Sequence, residues 1–262
     1  MDSMNKGLIV LVVIIILVGG YFMFSNNENN TKEEEVITDN DPVVVDPIEH
    51  ATVVLTWGDT VIYNDPVGGV DKFLGKAAAN IVLVTDIHGD HLDVETLEGI
   101  VGQETALIVP QAVVDKLTKS LASKAKVLGY GDSVVEFGIT ITGFPAYNIP
   151  ESDEAYHTKG RGNGYVLEKE GYKVYIAGDT SGTPEMRALT DVDMAFIPMN
   201  LPYTMSVEDA AGAVLAFAPK KVFPYHYRGT DGLSDVEKFK QLVGEGNSEI
   251  EVVLLEWYSE TE

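Results

Sequence analysis

The chain opens with an uninterrupted apolar run and changes character twice afterwards. Residues 8–24 carry no charge, and a helix of this length is about long enough to cross the hydrocarbon core of a bilayer. No face of that helix would be polar, which argues against a buried core helix. Residues 26–41 are acidic and rich in asparagine. We therefore predict a transmembrane anchor over residues 1–25 and an acidic, disordered linker over residues 26–49.

The charges that flank the apolar run predict how the anchor is oriented. Lys6 precedes the run, whereas the segment after it is acidic. Positive charge favours the cytoplasmic side of a membrane helix, so we expect a membrane-anchored protein whose residues 50–262 are extracytoplasmic. A cleaved signal peptide is the alternative, but the run is long for one and no small-residue cleavage site follows it cleanly.

From His50 onward, short apolar or alternating runs are separated by turns. The fully apolar run 81–84 is typical of a strand buried on both faces, and Asp93 predicts the capped start of a helix. Strands are predicted at 51–56, 60–63, 81–84, 107–109, 134–137, 139–144, 164–168, 173–177, 194–197, 221–225 and 251–257, and further helices at 111–122, 184–189, 207–217 and 235–243. This order favours two sheets covered by helices on their outer faces.

Composition narrows the classes of function. The chain has 18 Lys plus Arg against 41 Asp plus Glu, a net charge of −23, and such an acidic surface repels phosphate backbones, so we expect no nucleic-acid partner. It contains no cysteine, which excludes disulfides, thiolate metal sites, a cysteine nucleophile and a lipoprotein anchor. Any metal ion must therefore be held by histidines and carboxylates.

The densest chemical signal follows the strand predicted at 81–84. Four potential ligands fall within six residues there: Asp86, His88, Asp90 and His91. Residues two apart in an extended segment point the same way, so Asp86 and His88 can share one target. A turn at the glycine after His88 can direct Asp90 and His91 to a second target nearby. Imidazole and carboxylate suit Zn²⁺, Mn²⁺ or Fe²⁺, so this segment predicts a metal site.

The same segment resembles the H-x-H-x-D-H signature of the metallo-β-lactamase superfamily, with Asp86 in the place of the first His. Residues 177–180 (Ala-Gly-Asp-Thr) resemble the family's G-D-T segment, and residues 223–226 (Phe-Pro-Tyr-His) resemble the strand that ends in its last His ligand. His50 and residues 64–66 resemble the opening hairpin of the lactonase-like, uncharacterised branch. The resemblance implies an α+β fold, a four-layer αββα sandwich, for a hydrolase domain over residues 50–262.

The resemblance also implies two divalent cations, with zinc expected first and manganese or iron as alternatives. The residues expected to hold them are Asp86, His88, Asp90, His91, His157, Asp179 and His226. Asp86 and His88 would bind the first cation. Asp90 and His91 would bind the second, completed by His226, and Asp179 would bridge both. Asp90 and Asp179 are also the expected catalytic residues. A carboxylate at Asp86 hardens the first site, which favours manganese or iron or leaves that site weak.

The ligand between the first motif and the G-D-T segment has two candidates. His157 is the only histidine in that interval, whereas Asn148 lies at about the right distance before the strand at 164–168. A neutral amide is a weak ligand, so we favour His157 and leave Asn148 as the alternative.

Residues around these motifs suggest supporting roles. We expect three cations in this acidic chain to hold an anionic group of a small-molecule substrate: Lys159, Arg161 and Arg228. His50 and Asp65 are candidates for orienting the ligands from behind.

Two cations close together would lower the pKa of a bound water from about 16 to near 7. We therefore expect a dinuclear, metal-bound hydroxide that attacks a small ester, lactone or phosphodiester. The alternative is a non-catalytic metal-binding or ligand-sensing surface domain, which the number of bound ions would distinguish. A β-lactamase is disfavoured because that branch does not normally use a bridging Asp, and a nuclease is disfavoured by the negative charge.

Overall fold

The computed structural model describes residues 41–258, and the anchor predicted over residues 1–25 lies outside this range. Among the described residues, no helix combines the length and the apolar character that crossing a membrane requires. Strand β1 spans Val43–Glu49, so the linker predicted over residues 26–49 is wrong for its last part. Pairing with the next strand buries Val43 and Val45, and the neighbouring acidic residues hid this short alternation in the sequence.

The strands form two large sheets. The first has the order β1-β2-β3-β4-β5-β6 and becomes parallel from β3 onward. Its other strands are β2 Thr52–Trp57, β3 Thr60–Asn64, β4 Ile81–Leu83, β5 Ala106–Val109 and β6 Ala125–Val127. The second has the order β15-β12-β11-β10-β9-β8-β7. The remaining strands are β7 Ser133–Glu136, β8 Ile139–Ala146, β9 Gly162–Lys169, β10 Tyr172–Ile176, β11 Met194–Pro198, β12 Lys221–Tyr225, the small pair β13 Arg228–Gly229 and β14 Gly232–Leu233, and β15 Glu251–Val252.

Helices cover the outer face of each sheet. The α-helices of the described chain are α1 Val94–Ile100, α2 Gln111–Val114, α3 Lys119–Ala122, α4 Pro184–Arg187, α5 Val207–Phe217 and α6 Val236–Gly246, and one 3₁₀ turn covers Val70–Phe73. Alternate residues of β4 separate the layers, because successive strand side chains point to opposite faces. Ile81 and Leu83 pack in the core shared with the second sheet, whereas Val82 packs with Leu97 of α1. The layers are thus helix, sheet, sheet and helix, as the resemblance implies.

Most predicted elements lie within a few residues of the observed ones. Asp93 caps α1 as predicted, its side chain accepting from the backbone N–H groups of Glu95 and Thr96. The helix predicted at 111–122 is instead two short helices, because Thr118 caps a new turn with its own hydroxyl. The strand predicted at 251–257 pairs with β12 only at its first two residues.

The two sheets are joined by hydrogen bonds at one edge. The backbone N–H of Asn163 at the start of β9 donates to the carbonyl of Thr85 after β4, at 2.8 Å. The buried Tyr165 hydroxyl lies 2.8 Å from the Val84 carbonyl. Strands β10, β11 and β12 are mutually parallel, so their carboxyl ends meet at a common edge, where residues 177–180, 199–204 and 226 follow them.

Replacing Gly164 by alanine should destabilise this junction by about 1–3 kcal/mol. A Cβ at Gly164 would lie 2.6 Å from the Ala177 carbonyl oxygen and 2.8 Å from that of Ile176, and backbone atoms cannot move aside as flexible side chains do. Denaturant unfolding measures the change. Gly244→Ala is the matched control, since its Cβ would meet open space within α6. Equal unfolding midpoints for the two variants would contradict the prediction.

Candidate metal centre

The predicted ligands converge into two adjacent groups. Asp86, His88 and His157 form one group, whose ligand atoms all lie within 4.8 Å of one another. A second group meets the same criterion and consists of Asp90, His91 and His226. We call them the first and the second half-site.

Asp179 touches both half-sites. Its Oδ2 lies 3.0 Å from Nε2 of His157 and 3.3 Å from Nε2 of His91, and its Oδ1 lies 3.4 Å from Nε2 of His226. Asp179 thus contacts His157 of the first half-site and His91 and His226 of the second, which is the arrangement that a bridging Asp requires.

The turn that carries Asp179 explains why glycine precedes it. Gly178 has φ +64°, a conformation that favours glycine, and its Cβ would lie 2.8 Å from the Asn163 carbonyl oxygen. Its N–H donates to the buried Tyr225 hydroxyl at 2.9 Å. The chain thus leaves β10 tightly against β9 and β12, which points Asp179 at the histidines.

In the first half-site, His157 rather than Asn148 faces the other ligands. Nε2 of His157 lies 3.9 Å from Asp86 Oδ2, and Nδ1 of His88 lies 2.9 Å from the same oxygen. Asn148 instead accepts from the backbone N–H of His157 at 2.8 Å and donates to the Tyr203 carbonyl at 2.9 Å. Asn148 therefore holds the loop that carries His157.

In the second half-site, Asp65 orients His91. Asp65 is buried and lies 2.9 Å from Nδ1 of His91, while both its oxygens accept from Thr85 at 2.6 Å. With Nδ1–H of His91 donating to Asp65, the lone pair of Nε2 points to the centre when the ring is neutral. This role matches the expectation for Asp65, and Thr85 is a supporting residue that the sequence reading missed, although it lies in the same segment as the ligands.

Two residues, His50 and Asn200, support His226. Its backbone N–H donates to the carbonyl of His50 at 3.0 Å, and the two imidazole rings meet edge to face at 5.6 Å. The amide nitrogen of Asn200 lies 3.4 Å from Nε2 of His226. His50 was expected to support the ligands, whereas Asn200 was missed; its place after β11, at the edge where β10 and β12 also end, was the signal.

The charges of the centre shift the pKa values of its groups. Burial opposes ionisation of Asp179, but the charges of His226 and His91 hold its pKa well below the usual range. Burial also disfavours the charged form of His226, yet Asp179 raises its pKa to about 9. Hydrogen bonds from His88 and Arg161 outweigh burial and lower the pKa of Asp86 to about 2. Asp86 and Asp179 are therefore ionised at neutral pH and attract cations.

Three buried atoms of the centre make no hydrogen bond of good geometry, although each lies 3.0–3.4 Å from another group of the centre. They are Nε2 of His91, Nε2 of His157 and Oδ1 of Asp179. A buried polar atom without a partner costs about 1–3 kcal/mol, so such a cluster needs another stabilising interaction. Imidazole nitrogens and carboxylate oxygens are suitable ligands for Zn²⁺, Mn²⁺ and Fe²⁺. The residues present thus fit a divalent metal ion.

The three cations predicted to hold substrate differ in their surroundings. Lys159 lies 3.0 Å from Glu151 and 3.3 Å from the Tyr147 hydroxyl, neither of which is a predicted ligand. The guanidinium of Arg228 lies over the ring of Tyr258 at 4.4 Å. Arg161, in contrast, binds the predicted ligand Asp86. The two residues lie 75 positions apart in the sequence, so no local pattern reveals their contact.

Replacing Asp65 by asparagine should weaken cation binding by about 10–100-fold. Asparagine preserves the volume, but its amide turns a donor towards Nδ1 of His91 or supplies a neutral acceptor in place of a carboxylate. Calorimetric titration of the metal-free protein with Zn²⁺ measures the change. Asp132→Asn, which alters an exposed turn carboxylate, is the control, and an affinity unchanged in Asp65→Asn would contradict the role assigned to Asp65.

The geometry agrees with the relatives of this chain. Residues 45–226 match the model of the "Beta-lactamase superfamily domain". A UPF0173 metal-dependent hydrolase of Thermococcus kodakarensis is 30% identical over 224 residues, which cover 82% of this chain and 96% of that protein. A candidate metal-dependent hydrolase from Parabacteroides distasonis has a similar structure, with TM-score 0.73 and 36% identity over 82% of this chain and 94% of that one. A metallo hydrolase from Ignicoccus hospitalis, 23% identical, shares the fold with TM-score 0.70 over 83% of this chain and 96% of that one. The chain therefore belongs to the metallo-β-lactamase superfamily and, within it, to the UPF0173 metal-dependent hydrolases.

Proposed function

We propose that this chain hydrolyses a small ester, lactone or phosphodiester with water activated at two divalent cations. The observation that carries the proposal is the position of Asp179 between the half-sites, within 3.4 Å of a ring nitrogen from His91, His157 and His226. A carboxylate in this position can be shared by two cations. Bound there, the ions would supply Lewis acidity and a nucleophilic water at neutral pH.

The protein's own residues give the centre a floor and an open side. His91, His157 and His226 are buried, so they form the floor and exclude bulk water. The side chains of Asp90 and His88 are 42% and 40% exposed, which marks the side from which substrate arrives. Asp90 lies 3.3 Å from Nε2 of His226, and its lowered pKa keeps it ionised. Asp90 can therefore serve as an anionic ligand at the open side.

Zinc is the metal we propose first, because imidazoles provide four of the seven ligands. The carboxylate at Asp86 makes Mn²⁺ and Fe²⁺ the alternatives.

A substrate screen tests the proposal. The chain, stripped of metal and reloaded with Zn²⁺, Mn²⁺ or Fe²⁺, is assayed against lactones, carboxylic esters, thioesters and phosphodiesters. We expect turnover in at least one class, lost on chelation and in His88→Ala and His226→Ala, while elemental analysis after equilibrium dialysis against saturating metal finds two ions per chain. Activity that survives both substitutions would refute the mechanism. Tightly bound metal without turnover of any class would instead support a ligand-sensing domain.

We also propose that residues 8–24 anchor the protein in a membrane with the hydrolase domain outside the cytoplasm. The uncharged run supports an anchor, and Lys6 directly before it supports this orientation. A reporter that is active only outside the cytoplasm, fused after residue 258, should give signal from the membrane fraction. Signal restricted to the cytosol would refute the orientation.

A further inference from the structure

The guanidinium of Arg161 is bound to the carboxylate of Asp86. Its Nε and Nη2 bind the two carboxylate oxygens at 3.0 and 2.8 Å, and Nη2 also lies 3.4 Å from Nε2 of His88. This is the two-pronged geometry in which a guanidinium binds a carboxylate most strongly. Both oxygens that a cation of the first half-site would use are thus engaged by a fixed positive charge.

The backbone holds Arg161 in that position. The chain after it runs directly along the first motif, since a Cβ at Gly162 would lie 2.8 Å from the Thr85 carbonyl oxygen and 3.1 Å from Oδ1 of Asp86. Nη2 of Arg161 also donates to the Tyr156 carbonyl at 2.6 Å. The Tyr156 carbonyl and the close backbone approach at Gly162 therefore hold the guanidinium beside Asp86.

The second half-site has no such competitor among the described contacts. Asp90 and Asp179 face two imidazoles there, and Asp65 orients His91 from behind. The second half-site therefore offers a divalent ion Asp90 and its share of Asp179. The first offers one carboxylate whose charge Arg161 balances, together with its share of Asp179. Coulomb energy alone makes the two half-sites unequal.

We propose that Arg161 makes the centre asymmetric: one cation binds tightly at Asp90, His91 and His226, and a second binds weakly at His88 and His157 because it must displace Arg161 from Asp86. The inference rests on the proposed metal centre. The cation of the first half-site and the Arg161 guanidinium compete for the Asp86 carboxylate. The second ion therefore binds only when its concentration is high enough to displace Arg161.

Mn²⁺ titration of the metal-free full chain tests this, with free Mn²⁺ read from its electron paramagnetic resonance signal. The wild type should bind one ion at least about 100-fold more tightly than the second. Arg161→Gln should tighten the second ion by at least about tenfold and leave the first unchanged, because it frees Asp86 and removes a positive charge. Arg161→Lys keeps the charge but loses the two-pronged contact, so its second affinity should fall between those of the wild type and Arg161→Gln. Asp86→Asn should abolish the weak ion only.

Arg187→Gln is the matched control, because Arg187 donates only to the Gly182 and Gly212 carbonyls in the contacts described. Two ions of equal affinity in the wild type would overturn the inference while leaving the proposed hydrolase intact. Loss of the second ion in Arg161→Gln would overturn it too, since Arg161 would then support that half-site. A wild type that binds no Mn²⁺, and no Zn²⁺ in a parallel calorimetric titration, would refute the metal centre itself. Circular dichroism shows whether each variant is folded before it is titrated.

Discussion

Replacing Asp179 by asparagine should lower kcat/KM by about 10³-fold, because a shared metal ligand supplies several kcal/mol of charge stabilisation in the transition state. Asp179 is buried and faces His91, His157 and His226. An amide of the same shape contributes neither the charge nor the second acceptor oxygen. The measurement is steady-state kinetics at saturating metal on whichever substrate the screen identifies.

Asp235→Asn is the control for that variant. Asp235 caps α6 by accepting from the N–H of Lys238, and asparagine caps a helix about as well. It should therefore keep full activity and stability. If Asp179→Asn retained activity within about tenfold of this control, a bridging role for Asp179 would be untenable.

Cation binding should stabilise the protein more at high pH than at neutral pH. In the metal-free protein, Asp179 raises the pKa of His226 from 6.5 to about 9, against the effect of burial, and that of His91 is raised as well. A raised histidine pKa contributes stability that is fully present below pH 6.5 and is lost as pH rises through about 9. The carboxylates are ionised throughout this window, so the melting temperature of the metal-free protein should fall across it.

With a cation bound, the imidazoles are neutral at every pH in this window, so their titration no longer contributes. A cation at about 1,000 times its Kd adds about 4 kcal/mol, and the gap between the two melting temperatures should widen from pH 6.5 to about 9. Differential scanning calorimetry with and without Zn²⁺ measures that gap. A gap that narrows with pH would show that the histidines are not protonated in the metal-free protein.

The sequence predicts what depends on local pattern. The apolar spacing of residues 207–217 gave the bounds of α5, and the cap at Asp93 gave the start of α1. The convergence of the candidate ligands was also predictable, because a metal site restricts residue type and a chain with 5 histidines leaves few choices. His157 was preferred to Asn148 on ligand strength alone, and the structure shows it facing Asp86 and Asp179.

What the sequence did not reveal depends on distant contacts. Arg161 was expected to hold substrate, yet it binds Asp86, and only the approach of β9 to the end of β4 brings the two together. Strand β1 was placed in the linker because its few valines gain their burial from β2 and the core behind it. A partner chosen by tertiary packing leaves no periodic signal in the chain.

The hydrogen bonds from Asn163 to Thr85 and from Tyr165 to Val84 fasten the sheets together beside the ligands. The first sheet carries four of the candidate ligands after β4, namely Asp86, His88, Asp90 and His91. The second sheet carries Asp179 after β10 and His226 after β12. An ion bound by residues of both groups would link the two sheets, and separating the sheets would remove ligands from it. Global unfolding separates the sheets and should therefore release the bound ion, so a bound ion should also raise the resistance of the fold to heat.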